Sequence, residues 1–204
     1  MKKKILDELE KLILSELDNI SNYNLEDTLK QTSISKIKIE NSEEYIINYM
    51  TESENKVING DKLINKYNSK YQFSIKVSSV DAIYKFENGI IYLIEFKSGS
   101  VSKEDVYKKA YDTYIALLEL KLIENINFSK DKVVYIIVNN EDKYLDYNSK
   151  IKEHVKKNIP KIRKNKDYYK IGYFENYLFK ESYACTKDDF NTFIVEEFNK
   201  EENL

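Results

Sequence analysis

The sequence lacks the residues on which several common kinds of site depend. Its 204 residues include one cysteine, one histidine, one proline and four glycines, and no tryptophan. A single cysteine cannot form an internal disulfide, and one cysteine with one histidine cannot make a structural zinc site. Four glycines leave no glycine-rich loop to hold nucleotide phosphates, which excludes an NTPase or dinucleotide site.

Long apolar runs are missing as well. No stretch approaches the ~18 consecutive apolar residues that a membrane-spanning helix needs. Asp7, Glu8 and Glu10 interrupt the N-terminal segment where a signal peptide would be apolar. The hydrophobic share of 42% is nevertheless enough to build a core. We therefore expect a soluble, cytoplasmic protein with no membrane partner.

Neither sign of charge is in clear excess. The 33 Lys and Arg are balanced by 35 Asp and Glu, which excludes a protein that coats nucleic acid through bulk positive charge. The basic residues are unevenly spread, however, and residues 150–170 hold nine of them against two acids. This segment is either a solvated surface or a surface that contacts phosphates. For the second case the candidate nucleic-acid-binding residues are Lys156, Lys157, Arg163 and Lys164.

Hydrophobic spacing predicts several helices. An amphipathic helix is expected over residues 2–18, and acids in a first turn predict another beginning at Asn41–Glu44. Further helix is expected over Lys56–Tyr67, with Gly60 and Asp61 as a possible break. The remaining predictions are a long helix capped by Ser102, a basic helix over about 148–158, and a final helix capped by Thr186.

Alternating and continuous apolar runs predict the strands. They cover Tyr71–Val77, Val80–Phe86 and Ile90–Lys97, a buried strand over Asp131–Asn139, and short strands between Tyr168 and Phe179.

The second and third strands are joined by Glu87-Asn88-Gly89, which is typical of a hairpin. A three-residue loop with left-handed Gly89 pairs Phe86 with Ile90 and sets Asp81 opposite Glu95. A two-residue turn would instead set Asp81 opposite Phe96.

The three-residue register brings Asp81, Glu95 and Lys97 together on one face of the sheet. Two carboxylates and a lysine at the end of an apolar hairpin are unfavourable unless they are paired or bind a metal. Carboxylate oxygens suit Mg²⁺, which would polarise a phosphodiester and lower the pKa of a bound water. Lys97 could then orient that water or neutralise charge that develops on the phosphate.

At these residues the sequence resembles the PD-(D/E)XK nuclease superfamily. The resemblance makes Asp81 the metal-binding aspartate, Glu95 the second acidic ligand and Lys97 the catalytic lysine. Phe96 would offer its backbone carbonyl to the metal, and Val80 stands where the family name has proline. The resemblance covers residues 42–139, just under half of the chain.

The resemblance also implies a fold. It is an α/β (α+β) fold with a restriction-endonuclease-like core ordered α-β-β-β-α-β around a mixed central sheet. A glutamate of the first core helix often joins such sites, and Glu43 and Glu44 are the candidates here. We expect one domain over 1–204, with an N-terminal helical extension over 1–40, the core over 42–139 and a C-terminal α/β extension over 140–204.

The expected function is that of a Mg²⁺-dependent nuclease that hydrolyses DNA phosphodiesters, with Mn²⁺ able to substitute. Phage defence, mobile elements and repair are contexts in which such an enzyme would act, as a homodimer or with a partner protein. Two alternatives stay open: a catalytically inactive binding or assembly module with the nuclease fold, and a nuclease subunit that requires a partner.

The basic segment gives a first testable prediction. If it contacts phosphates, replacing Lys156, Lys157, Arg163 and Lys164 with glutamine weakens DNA binding for all sequences alike. The slope of log affinity against log salt should become shallower by about one unit for each phosphate that the variant no longer neutralises. The measurement is a salt titration of DNA binding, and an unchanged slope would mean that the segment is only solvated surface.

Overall fold

The computed structural model of the chain describes residues 2–17, 24–38, 43, 45–98, 102–140, 162 and 164–202. These residues form a mixed α/β structure, which confirms the predicted class. No helix within these ranges has both the length and the apolar character to cross a membrane.

Eight strands lie in these ranges: β1 (Glu26–Thr28), β2 (Ile34–Lys38), β3 (Tyr45–Tyr49), β4 (Lys56–Asn59), β5 (Ala82–Lys85), β6 (Ile91–Lys97), β7 (Val133–Asn139) and β8 (Glu181–Thr186). Six of them form one mixed sheet in the order β1-β4-β5-β6-β7-β8, and β2 and β3 form a separate ribbon. Pairs from β1 to β6 are antiparallel, whereas β6, β7 and β8 run parallel.

The α-helices of the same ranges are α1 (Lys2–Glu16), α2 (Leu29–Thr32), α3 (Gly60–Tyr71), α4 (Lys103–Glu119), α5 (Ile126–Lys132), α6 (Lys187–Asp189) and α7 (Glu196–Glu202). A 3₁₀ helix with a kink at Tyr169 and Lys170, both of which have positive φ, spans Tyr168–Phe174, and a π-helical segment, Phe190–Val195, joins α6 to α7. Both predicted caps are confirmed, because the side chain of Ser102 accepts from the Asp105 amide and that of Thr186 from the Asp189 amide.

The sheet is covered on both faces. On one face, α1, α3 and α4 pack on side chains that include Ile83, Leu93 and Ile137. On the other, the π-helical segment and α7 pack on Tyr84, Ile94 and their neighbours. All seven residues of β7 are buried, as the continuous apolar run predicts.

The hairpin register is confirmed. Lys85 pairs with Ile91 and Ala82 with Ile94, and the Phe86 amide donates to the Ile90 carbonyl at 2.8 Å. Gly89 has φ of +80°, so the three-residue loop uses the left-handed glycine that its geometry requires.

The predicted helix that begins at Asn41–Glu44 is wrong. Residues Tyr45–Tyr49 form β3, which pairs along its whole length with β2. The β-branched and aromatic residues of this stretch suit a strand. The apolar spacing alone fits a helix nearly as well, and pairing with β2 decides for the strand. The helix-first order expected for residues 42–139 is therefore not found. Lys56–Asn59 is likewise a strand, and helix begins only at the predicted break, Gly60.

The predicted strand over Tyr71–Val77 is also wrong. Tyr71 ends α3, Gln72 adopts a left-handed conformation, and Ile75 is 75% exposed. The Asn68 side chain bonds both the amide and the carbonyl of Val77, which fixes this segment as a loop against α3. The place beside β5 in the sheet is taken by β4.

Near the C-terminus, the short strands expected between Tyr168 and Phe179 are replaced by the 3₁₀ helix. The strand of this region is β8, which adds to β7 and so continues the main sheet. The predicted basic helix over about 148–158 lies outside the described residues.

Gly60 sets the distance between α3 and the segment that enters β5. Its amide donates to the Asp81 carbonyl at 3.0 Å. A Cβ added at this position would lie 1.7 Å from the Val80 carbonyl oxygen. Only glycine allows this close approach, so the start of α3 and Asp81 are held together by backbone contact.

Substitution of Gly60 tests this packing. We expect Gly60→Ala to lower the free energy of unfolding by about 3 kcal/mol or more, because the added Cβ overlaps backbone that has no room to move. Gly89→Ala is the matched control: a Cβ there meets nothing within 4 Å, and only its left-handed φ is unfavourable, by about 1 kcal/mol. Urea denaturation measures both, and equal decreases would contradict the close approach.

Candidate active site

Asp81 and Glu95 face each other across the β5–β6 hairpin. The Asp81 amide donates at 3.0 Å to the carbonyl of Ile94, the residue that pairs with Ala82 in the ladder. The Phe96 amide in turn donates to Asp81 Oδ2 at 2.6 Å. Both side chains lie on the face that carries α3 and α4, as the three-residue loop predicts.

Glu95 is the most deeply placed charge of the site. Its side chain is 0% exposed, and its Oε1 atom pairs with the ammonium of Lys97 on the same strand. The second oxygen, Oε2, is buried without a hydrogen-bond partner. Lys97 is itself mostly buried, so the predicted acidic residues and lysine do converge.

A second lysine, Lys109 of α4, completes the cluster. Its ammonium lies 2.7 Å from Glu95 Oε1 and 3.3 Å from Asp81 Oδ1. The sequence prediction did not include it, although the pattern of α4 contains a signal. The buried residues of this helix include Val106, Ala110 and Thr113, and Lys109 flanks that stripe at helical spacing.

Helix α4 also holds the loop that leads into Asp81. The hydroxyl of Thr113 accepts from the Val80 amide at 3.0 Å, and Asp112 Oδ2 accepts from the Ser78 amide at 2.8 Å. These bonds satisfy backbone amides that belong to no strand. The aspartate is thereby fixed from the helix as well as from the hairpin.

Burial and charge determine the protonation of the cluster. Burial first, and then the Glu95 carboxylate, raise the pKa of Asp81 to about 7, although the two lysines and the Phe96 amide oppose the shift. Burial alone would lower the pKa of Lys109, but the Asp81 and Glu95 carboxylates outweigh it and raise that pKa. Asp81 therefore gains and releases its proton close to neutral pH.

The cluster forms the floor of an open cleft with a volume of about 390 Å³. Other walls are supplied by α2, by the start of β2 and by the first turn of α3. Asp61, in that turn, adds a third acidic residue to the lining, which the sequence prediction treated only as a helix break. Phe96 also lines the cleft, while its ring packs against Phe190 on the other side of the sheet.

The predicted helix glutamates are not at this site in the described residues. Glu43 is exposed, precedes a strand rather than a helix, and is absent from the cleft lining. Glu44 lies outside the described residues. A carboxylate from the first turn of a helix does reach the cleft, but it is that of Asp61 on α3.

Of the predicted nucleic-acid-binding residues, Lys156, Lys157 and Arg163 lie outside the described residues. Lys164 forms an ion pair with Glu181, and its ammonium lies 4.5 Å from the centre of the Tyr183 ring. Tyr183 belongs to the opposite face of the sheet from Glu95. The structure does not place Lys164 in the cleft.

Within the described part of the chain, three buried polar atoms in or beside the cleft have no hydrogen-bond partner. They are Glu95 Oε2, Ser35 Oγ and Asn139 Nδ2. Glu95 and Ser35 line the cleft, and Asn139 is the register neighbour of Lys97. Buried polar groups are normally paired, and unpaired ones are typical of sites that receive a ligand, an ion or water.

The chemistry of these groups suits a Mg²⁺ ion, which takes one or two carboxylates and completes its shell with water and phosphate oxygens. Among the described residues no group of three or more His, Cys, Asp or Glu could hold a metal by itself. Mg²⁺ needs only one or two carboxylates from the protein, and Asp81 and Glu95 supply two, of which Glu95 has an unpartnered oxygen.

Comparison with known proteins adds no identification. The chain matches no family model, no curated protein and no solved structure.

The raised pKa of Asp81 predicts a particular pH dependence of stability. An unfolded aspartate has a pKa near 3.9, so between about pH 4 and pH 7 the folded chain holds a proton that the unfolded chain releases. In the presence of a chelator, the free energy of unfolding should therefore fall as pH rises through this window. Asp81→Asn should lack this part of the fall, with a difference of more than about 1.4 kcal/mol, the equivalent of one pKa unit. Urea denaturation at several pH values measures it, and parallel profiles for the two proteins would contradict it.

Proposed function

We propose that this chain is a Mg²⁺-dependent nuclease that hydrolyses phosphodiester bonds of DNA at Asp81, Glu95 and Lys97. The observation that carries the proposal is Glu95, a fully buried carboxylate opposite a second carboxylate, with one oxygen left unpartnered. Two ammonium groups pair with Oε1 of this carboxylate, but the buried Oε2 has no partner, and buried polar atoms without partners are typical of functional sites.

Asp81 and Glu95 are the residues that would hold the metal. Glu95 offers Oε2, and Asp81 offers Oδ1, whose present partner is Lys109 at 3.3 Å. A bound Mg²⁺ supplies Lewis acidity toward the phosphate and a lowered pKa for its bound water. Mn²⁺ prefers the same oxygen donors and should substitute.

Lys97 and Lys109 each offset negative charge, Lys97 on the phosphate and Lys109 on the two carboxylates. An ammonium has three donors, so Lys97 can keep Glu95 Oε1 and still donate to a phosphate oxygen on which negative charge develops. Lys109 bridges the two carboxylates from α4, which reduces their mutual repulsion and keeps them at the spacing of the hairpin. Lys97 would then be the catalytic lysine, and Lys109 a positioning residue.

The order of elements supports the assignment to a restriction-endonuclease-like core. Along the chain, β4, β5, β6, α4 and β7 occur in the order β-β-β-α-β, with α3 between β4 and β5 and α5 between α4 and β7. The long helix before them is α1, which β1, α2, β2 and β3 separate from β4. The candidate acids lie at the second and third strands of this order, where the PD-(D/E)XK resemblance assigns them. The intervening elements, the ribbon of β2 and β3, and the added strands β1 and β8 of the main sheet are departures from it.

A binding module without turnover is the second candidate. It is favoured by the charge balance of the cluster, since two ammonium groups already contact Glu95 Oε1 and could neutralise the two carboxylates without a metal. The two functions differ in whether the site binds a divalent cation.

The decisive test is cleavage of DNA. Purified protein with Mg²⁺ or Mn²⁺ should cut at least one of supercoiled, linear and single-stranded DNA. Asp81→Asn, Glu95→Gln and Lys97→Gln should each reduce the rate at least ~10²-fold, because each removes a group that acts on the reacting phosphate. Gel assays of initial rates measure the effect.

Glu52→Gln is the control, because Glu52 is an exposed partner of Lys30 on the surface. It should cut at the wild-type rate. Cleavage that survives unchanged in the three site variants would rule out the site. Calorimetric titration with Mn²⁺ separates the rival: a nuclease binds the ion and fails to bind it in Glu95→Gln, whereas a module neutralised by lysines binds none at this site.

A further inference from the structure

The three parallel strands of the sheet end at one edge beside the carboxylate cluster. Lys97 at the end of β6 is in register with Asn139 of β7, and Asn139 with Thr186 of β8. In open α/β sheets, ligands bind outside the carboxyl ends of the parallel strands. This edge is therefore where a substrate approaching Lys97 would also meet the end of β7.

Asn139 lies on the same face of the sheet as Glu95 and Lys97. Side chains alternate along a strand, and Tyr135 and Ile137 of β7 belong to the core cluster that contains Leu93 of β6. Val138 belongs to the opposite cluster. Since Asn139 pairs in register with Lys97, the two side chains leave neighbouring strands side by side.

The Asn139 side chain is buried but unused. The residue is 4% exposed, and its amide nitrogen Nδ2 has no hydrogen-bond partner. Its register neighbours do not supply one: the Thr186 hydroxyl accepts from the Asp189 amide to cap α6, and the Lys97 ammonium pairs with Glu95. A buried donor without an acceptor is unfavourable, and the six residues before it in β7 are all apolar except for the Tyr135 hydroxyl.

We propose that the amide of Asn139 donates to a phosphate oxygen of the substrate, forming with Lys97 a phosphate-binding seat at the ends of β6 and β7. The inference rests on the proposed function, and it adds a residue that neither the motif nor the cleft lining contains. Lys97 supplies charge without direction, because an ammonium donates equally well along three axes. The neutral, planar amide of Asn139 supplies direction, so the pair orients the phosphate as well as attracting it.

The test compares two buried asparagines. Asn55 is 3% exposed, and its Nδ2 donates to Ser53 Oγ at 2.7 Å and to Asn199 Oδ1 at 2.8 Å. Asn55→Leu therefore breaks hydrogen bonds and should lower the melting temperature. Asn139→Leu breaks none at Nδ2, so it should melt at or above the wild-type temperature.

DNA cleavage should rank the two variants in the opposite order to their melting temperatures. With Mg²⁺ and supercoiled DNA, Asn139→Leu should lower kcat by about 10²-fold, as expected for removal of one aimed donor, while Asn55→Leu cuts like the wild type. With a chelator, the binding of a fluorescein-labelled DNA duplex should weaken in Asn139→Leu. Asn139→Asp, which keeps the size of the side chain but directs a carboxylate at the phosphate, should weaken it further and serves if the leucine variant does not fold.

Each outcome decides between the two proposals. Wild-type cleavage and binding in Asn139→Leu would overturn the phosphate seat and leave the nuclease proposal intact. A lowered melting temperature, equal to that of Asn55→Leu, would mean that the amide has a structural partner and would also overturn the seat. Weaker DNA binding in the variant, with no cleavage by the wild type under any condition, would support the seat and reject the nuclease.

Discussion

Glu95 places a carboxylate beneath the helical layer with none of its surface exposed, and a charge in such a position is unfavourable by several kcal/mol unless cations lie within reach. One cation comes from the same strand, as Lys97, and the other from α4, as Lys109. The second of these contacts constrains α4 to present one flank to the end of the hairpin. The same orientation lets Asp112 and Thr113 bond the backbone before Asp81. The burial of one charge thus determines how the helix lies on the sheet and how the opposite carboxylate is held.

The two faces of the sheet have different roles, and the hairpin register keeps them apart. Asp81, Glu95 and Lys97 point toward α3 and α4, whereas Ala82 and Ile94 point into the apolar layer beneath the π-helical segment. Because successive side chains alternate, a slip of one residue would bury the charges in that layer and expose its apolar residues. The loop that ends at left-handed Gly89 excludes the slip. Fold and site are therefore specified by the same short turn.

Features of the fold and the site that have a local sequence pattern could be predicted, whereas those decided by contacts between separate parts of the chain could not. The hairpin, the capped start of α4 and the buried strand β7 have local signatures, and all three were predicted. Tyr45–Tyr49 and Tyr71–Val77 were assigned wrongly, because pairing with β2 and bonding to Asn68 decide those segments from a distance. Lys109 was missed because it only flanks the buried stripe of α4, which runs through Val106, Ala110 and Thr113, and because the carboxylates that it pairs with lie on the hairpin. Asn139 carries no sequence signal at all, because its significance comes from its register with Lys97.

Both carboxylates and both lysines of the cluster lie on one uninterrupted stretch of chain, from Asp81 to Lys109. The hairpin and the following helix that carry them require little loop closure, so the local contact order of the cluster is low. We expect these charges to meet early in folding, while water still surrounds them. Their desolvation then falls to the late step in which α1, α3 and the strand β7 close over the hairpin. The polar centre of the molecule is in this way assembled from sequence neighbours, and elements from earlier and later parts of the chain serve to remove the solvent from it.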